Sequence, residues 1–250
     1  MKSILSTNIS GAGDLTGKSI VIFGGTSGIG LAAAIQAKQS GGKVRVVGLD
    51  AVRAQKIAAQ HGFESWRVAD VTQSETLYDA LSDIEKVDHL VLLAGTFVAG
   101  KTLDADIAYL RRAFDERIWA AIHVLRALGD RLSRDGSVTF ISGSLADRPN
   151  AYGTAVLAAA SAAMEALARG LALELAPVRV NTLSPGPIDT PILAKAMGDA
   201  RDGFVAALER TLPLHRLGTA DEAGAAVVFL MSNGFMNGAT INVDGGARLV

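Results

Sequence analysis

Ser19-Ile20-Val21-Ile22-Phe23-Gly24-Gly25-Thr26-Ser27-Gly28-Ile29-Gly30 is the stretch on which the fold turns. Its first five residues form an apolar, β-branched run of the kind that fills a strand buried on both faces. Four glycines follow within seven residues, and then Leu31-Ala32-Ala33-Ala34 opens an alanine-rich helix. Glycine suits a tight turn that needs positive φ and a backbone that a ligand must approach closely. The helix beyond it aims its unpaired N–H groups and positive dipole end at whatever sits on the turn. Strand, glycine loop and helix in this order read as a dinucleotide-binding unit. A packing turn alone has little need of four glycines. The earlier Gly11-Ala12-Gly13 has no apolar strand before it and does not read this way.

Outward from that unit, short apolar runs alternate with helical segments. Strands are expected at 19–23, 44–48, 65–68, 89–93, 138–141, 178–183 and 240–243. Helices are expected at 29–40, 51–61, 74–84, 107–132, 155–175 and 222–231. This alternation predicts an α/β fold, a Rossmann-type doubly wound parallel sheet with helices on both faces. Residues 1–14 read as a loose Ser/Gly-rich arm, and 15–250 as one dinucleotide-binding domain with a substrate loop near 186–218.

The chain has 250 residues, 49% of them hydrophobic, enough for one substantial core. A formal net charge of -1, with both signs mixed along the chain, gives no electrostatic reason to expect nucleic acid or a membrane surface as partner. Cysteine is absent, which excludes disulfides and thiolate chemistry, and the four histidines lack paired metal spacing, so no metal site is expected. Met1 to Gly13 lacks the apolar core of a signal peptide, and the apolar stretches read as too short to span a bilayer. The expectation is a cytoplasmic protein acting on a small-molecule substrate.

Further segments fall after the predicted strands: Asp70-Val71, Ala94-Gly95, Ser142-Gly143-Ser144, Pro185-Gly186-Pro187-Ile188-Asp189-Thr190 and Asn242-Val243-Asp244-Gly245-Gly246. With the Gly-x-x-x-Gly-x-Gly loop they resemble the short-chain dehydrogenase/reductase family from Leu15 onward. The resemblance implies that NAD or NADP is held by Gly24, Thr26, Ser27, Gly28, Ile29 and Gly30 at the phosphates. It implies Asp70 and Val71 at the adenine, and Ala94 and Gly95 beyond the fourth strand. It implies Pro185, Gly186, Ile188 and Thr190 at the nicotinamide, and a subunit interface near the C-terminal motif. Asp50 has two readings: a partner for the ribose hydroxyls, or the N-cap of the next helix. No Arg or Lys directly follows the second strand, which tilts the expectation toward NAD.

The family's proton machinery is a serine, a tyrosine and a lysine one helical turn later. The resemblance places the serine at Ser144, the tyrosine at Leu157 and the lysine at Ser161. The family asparagine that anchors a water falls at Arg117, and Leu93 stands before Ala94-Gly95 where an asparagine is usual. Tyr152 is five residues before Leu157, an offset of roughly 140° and about 7.5 Å on a continuous helix. It can donate a proton in that place only if 151–153 is loop. Arg117 can replace a missing positive charge, or be one of the solvated arginines of a long helix.

Residues 155–163 are small and alanine-rich, which favours close helix packing and helix formation. The family pairs this helix across a two-fold axis, so a homodimer or homotetramer is expected. Three functions stay open: an NAD(P)-linked oxidoreductase on a small alcohol or carbonyl compound with an altered proton site, a catalytically inactive sensor or scaffold, and a non-redox enzyme.

Overall fold

The computed structural model describes residues 13–250. The arm expected over 1–14 lies outside the described residues except for Gly13 and Asp14, and Asp14 Oδ1 accepts the Thr16 N–H at 2.9 Å.

In the first half, β1 (Ser19–Phe23), α1 (Gly28–Gln39), β2 (Lys43–Gly48), α2 (Ala51–His61), β3 (Ser65–Val68), α3 (Ser74–Leu81) and β4 (Val87–Leu92) alternate. Then come α4 (Ile107–Phe114), a π turn (Asp115–Trp119), α5 (Ala120–Leu128), β5 (Leu132–Ile141), α6 (Ala155–Glu174) and β6 (Arg179–Pro185). The chain ends with β7 (Ile188–Asp189), α7 (Pro191–Met197), α8 (Arg201–Thr211), β8 (Gly218–Thr219), α9 (Ala220–Ser232) and β9 (Thr240–Val243). Seven strands form one parallel sheet in the order β3-β2-β1-β4-β5-β6-β9, while β7 and β8 pair separately.

Alternation along β1 shows how both faces are used. Ile20 and Ile22 pack with Ala33, Ala37, Val46 and Val227 on the side of α1 and α9. Val21 and Phe23 join Leu81, Leu90, Val124, Phe140 and Met164 on the side of α3, α5 and α6. Each large side chain buried this way contributes roughly 1.5–3 kcal/mol relative to exposure. Contact between α1 and α9 is tight because it is made through small residues: a Cβ on Gly224 would lie 2.9 Å from the Ala33 nitrogen. Arg179, buried at the start of β6, donates to the carbonyls of Leu230 at 2.9 Å and Met231 at 2.7 Å, which satisfies the C-terminal end of α9.

Three expectations need correction. The single helix foreseen at 107–132 is interrupted by the π turn, and it ends at Leu128, where Gly129 turns to φ 53. There Arg131 donates to the carbonyls of Leu128 and Leu81, and Leu132 already begins β5. The region near 186–218 holds two helices, α7 and α8, where a substrate loop was expected. Finally, an apolar stretch does reach bilayer-spanning length. The twenty residues of α6 have a mean hydropathy of 1.5 over their most apolar window. The physical reason is local, since Leu157, Ala160, Met164, Ala168 and Ala172 of α6 are buried against the rest of the fold.

His89 sits inside this core at 4% exposure, its Nδ1 2.9 Å from Ser137 Oγ. Burial, with the positive charge of Arg179, pulls its pKa down to about 4, against the opposing pull of Asp88. The folded state therefore holds His89 neutral while the unfolded chain protonates it near 6.5. Its contribution to stability is complete above pH 6.5 and is lost as pH falls through 4, by about 3 kcal/mol at most. Urea unfolding at pH 7.5 and 4.5 should show this loss in the parent and a smaller one in His89→Asn; equal losses would contradict the assignment.

Candidate active site

A cleft of about 930 Å³ opens beyond the carboxyl ends of β1, β4, β5 and β6. Strand order reverses between β1 and β4, and a parallel sheet leaves such a crevice at its switch point. Every residue proposed from sequence for cofactor or catalysis lines this one cleft, from Gly24 through Asp50, Asp70, Gly95, Ser144 and Tyr152 to Thr190.

The phosphate end is built by β1 running into α1. Ser27 precedes the helix with extended backbone and makes no side-chain cap, which leaves the first-turn N–H groups of α1 for a ligand. Gly28 has φ 52, and a Cβ there would stand 3.4 Å from the Thr190 side chain. The β1 loop and the β6 loop thus meet across the cleft. At Gly30 a Cβ would run into the carbonyl oxygen of Gly24, so the turn closes only around hydrogen.

Toward the other end, Asp50 Oδ1 accepts the Arg53 N–H at 2.9 Å and caps α2, the second of its two readings. Both Asp50 and Arg53 line the cleft, so opposite charges share that wall. Asp70 Oδ1 accepts from the N–H and hydroxyl of Thr72 at 2.9 and 2.7 Å, holding the turn that presents Val71.

The wall made by β5 and α6 offers little acid-base chemistry. Leu157 is 3% exposed and packs with Val98, Leu110, Ala113 and Ala160. Ser161 is buried as well. Its carbonyl lies 3.1 Å from Ser142 Oγ, which donates to Glu165 Oε1 at 2.7 Å and ties the end of β5 to α6. Ser144 opens a short 3-10 turn on the rim. Tyr152 is off the helix: 151–153 is a turn, α6 starts at Ala155, and the tyrosine is 82% exposed. No lysine of the described residues lines the cleft.

Several lining residues lie outside the sets expected from sequence, and Arg117, expected either as a replacement cation or as a solvated helix arginine, is on the cleft wall. The π turn brings Glu116 and Arg117 to the end of β4. Glu116 Oε2 accepts from the N–H and hydroxyl of Thr96 at 2.6 and 2.7 Å, and its Oε1 takes Arg112 at 2.6 Å. Arg117 donates to the carbonyls of Thr96 at 3.0 Å and Ala113 at 3.3 Å. From α7 and α8 come Ile192, Leu193, Met197, Phe204 and Leu208, facing a cleft also lined by Phe97 and Leu145. The signals for that cover were present: Thr190-Pro191 is a helix start with Pro at its first position, and Phe204 and Leu208 are spaced i, i+4.

With this geometry in view, the sequence model of a family described as enoyl-(acyl carrier protein) reductase matches residues 24–248. A short-chain dehydrogenase/reductase, ATR9, from Stachybotrys chlorohalonatus is 34% identical over 94% of this chain and 98% of its own. The chain belongs to the short-chain dehydrogenase/reductase family. Among solved structures, a small-chain dehydrogenase in complex with NADPH is 34% identical, with a TM-score of 0.80 over 93% of this chain and 99% of that one. A short-chain oxidoreductase from Pseudomonas aeruginosa, described as containing an atypical catalytic center, is 26% identical, with a TM-score of 0.85 over 94% and 98%. The dinucleotide of this short-chain dehydrogenase/reductase family fits what the cleft offers. A glycine turn that no Cβ can enter and a helix start without a side-chain cap make an anion cradle.

Proposed function

We propose that this protein is an NAD(P)-dependent oxidoreductase acting on an alcohol or carbonyl compound with an apolar body, through a weakened proton-transfer site. The observation that carries it is one continuous cleft with a built phosphate end and a built Thr190 end, walled at α6 by Leu157 and Ser161. A nicotinamide cofactor supplies hydride chemistry when bound; the chain must orient the substrate and handle one proton. Ser144 orients the substrate oxygen from the rim. Tyr152, free of α6, is the one tyrosine on the cleft wall and the candidate proton donor. The apolar lining from α7 and α8 excludes water and favours an apolar substrate body. Asp50 disfavours a 2′-phosphate and Arg53 favours one, so discrimination between NADH and NADPH is expected to be weak. The relative with an atypical catalytic center supports an altered site on this fold. Assembly as a homodimer or homotetramer through the small-residue face of α6 belongs to the same proposal, and sedimentation equilibrium reads it; a monomer at micromolar concentration contradicts it.

The test is a panel of apolar aldehydes and ketones followed at the nicotinamide absorbance. Loss of a general acid costs about 10²–10⁴-fold, so turnover is expected to be slow and best on activated carbonyls. Tyr152→Phe should remove what remains. Fast turnover unaffected by Tyr152→Phe contradicts the proposed site. Saturable cofactor binding with no turnover on any carbonyl favours the sensor or scaffold reading, which the side chains at Leu157 and Ser161 also suit.

A further inference from the structure

Arg117 is placed by the single irregularity in the α4–α5 helix, the π turn Asp115–Trp119, where the Ala120 N–H reaches back to the Asp115 carbonyl. Such turns insert one residue and re-aim the side chains beside them, frequently at functional sites. Its guanidinium lies at the end of β4, and a Cβ on Gly95 would be 3.6 Å from the guanidinium carbon. Two backbone carbonyls take one N–H each from Nη1 and Nη2. Nε is wholly buried and has no hydrogen-bond partner among the described residues. The neighbouring carboxylate accepts no hydrogen bond from the group, because Glu116 is already engaged by Arg112 and Thr96. Burial pushes the Arg117 pKa below its ordinary value, with Glu116 pulling the other way. A guanidinium remains charged at neutral pH from so high a start. Packing alone would be met by an apolar side chain of the same length. A cation in a cleft wall with no carboxylate hydrogen-bonded to it among the described residues, and with one N–H unpaired, points to a ligand.

A dinucleotide reaching from the α1 loop to the Thr190 loop crosses the end of β4 at Ala94 and Gly95, where Arg117 stands. Resting on the dinucleotide reading above, we propose that Arg117 is the fixed positive charge facing the nicotinamide half of the cofactor and makes this cleft select the reduced form over the oxidised one. The physical basis is simple. The oxidised nicotinamide ring carries a positive charge and the reduced ring is neutral, so a nearby cation penalises only the oxidised form. A unit charge several ångström away, at an effective dielectric near 20, corresponds to about ten- to a hundredfold in Kd. Unlike a lysine, the guanidinium holds this preference without titrating in the accessible pH range.

The experiment measures Kd for NADPH and for NADP⁺ separately, by calorimetry, on the parent, Arg117→Met, Arg117→Gln and Arg117→Lys. The parent is expected to bind the reduced form at least tenfold more tightly, with a ratio flat from pH 6 to about 10. Arg117→Met and Arg117→Gln should lower the ratio about tenfold or more, while thermal melts show whether each is folded. Arg117→Lys should keep the ratio at pH 7 and lose it as the lysine deprotonates. A ratio unchanged in a folded Met or Gln variant overturns the proposal. No binding of either form to the parent is a different result, and it overturns the dinucleotide reading instead.

Discussion

Gly30→Val is expected to weaken NADH and NADPH binding by at least roughly a hundredfold while leaving the sheet assembled. A side chain at this position meets the Gly24 carbonyl oxygen and comes within 3.2 Å of the Gly25 nitrogen, so the turn must open or the start of α1 must move away. Either change withdraws the first-turn N–H groups from the phosphates. Hydrogen bonds to a charged group contribute about 1.5–3 kcal/mol each, and losing two accounts for a hundredfold or more. Fluorescence titration of both reduced cofactors measures the loss, and circular dichroism verifies the fold. An unchanged Kd in a folded variant would remove the β1 loop from the site.

Leu157→Tyr carries the largest expected gain. Leu157 lies on the cleft wall, one helical turn from Ser161, and on the proposed function these two stand at the positions of the family's tyrosine and lysine. A hydroxyl installed there restores a proton donor, which is typically worth about 10²–10⁴-fold in turnover. Because Arg117 already supplies a positive charge, adding Ser161→Lys should contribute less than the tyrosine does. The larger ring must displace part of the cluster with Val98 and Leu110, at about 1–3 kcal/mol of stability. Steady-state carbonyl reduction by the single and double variants decides the matter. If both fold, bind cofactor and turn over no faster than the parent, the positions assigned to the missing pair are wrong.

The parallel sheet was legible because its strands are buried on both faces and read as unbroken apolar runs, Ile20 to Phe23 being the clearest. The residues after each strand could be named for the same reason, and the structure brings Gly24, Ala94, Ser144 and Pro185 to one cleft. What was not legible depended on tertiary context. A π turn leaves no mark in helical periodicity, so the sequence leaves Arg117 between a replacement cation and a solvated helix arginine and gives Glu116 no role, while the structure sets both beside Thr96. The cover made by α7 and α8 is helix where the sequence suggests loop, although Thr190-Pro191 marks a helix start. The bounds of α6 were legible, 155–175 against Ala155–Glu174; its apolar length was not, because Glu165 and Arg169 interrupt the apolar run in sequence but not the helix.

On the proposed function, the cofactor grip is intact although the usual proton machinery is not. Titration of the parent protein with NADPH and NADH, read by nicotinamide fluorescence, tests it most directly. Saturable binding of both is expected, with dissociation constants in the micromolar range (about -8 kcal/mol) and modest preference between them. No saturable binding of either at millimolar concentration would contradict it.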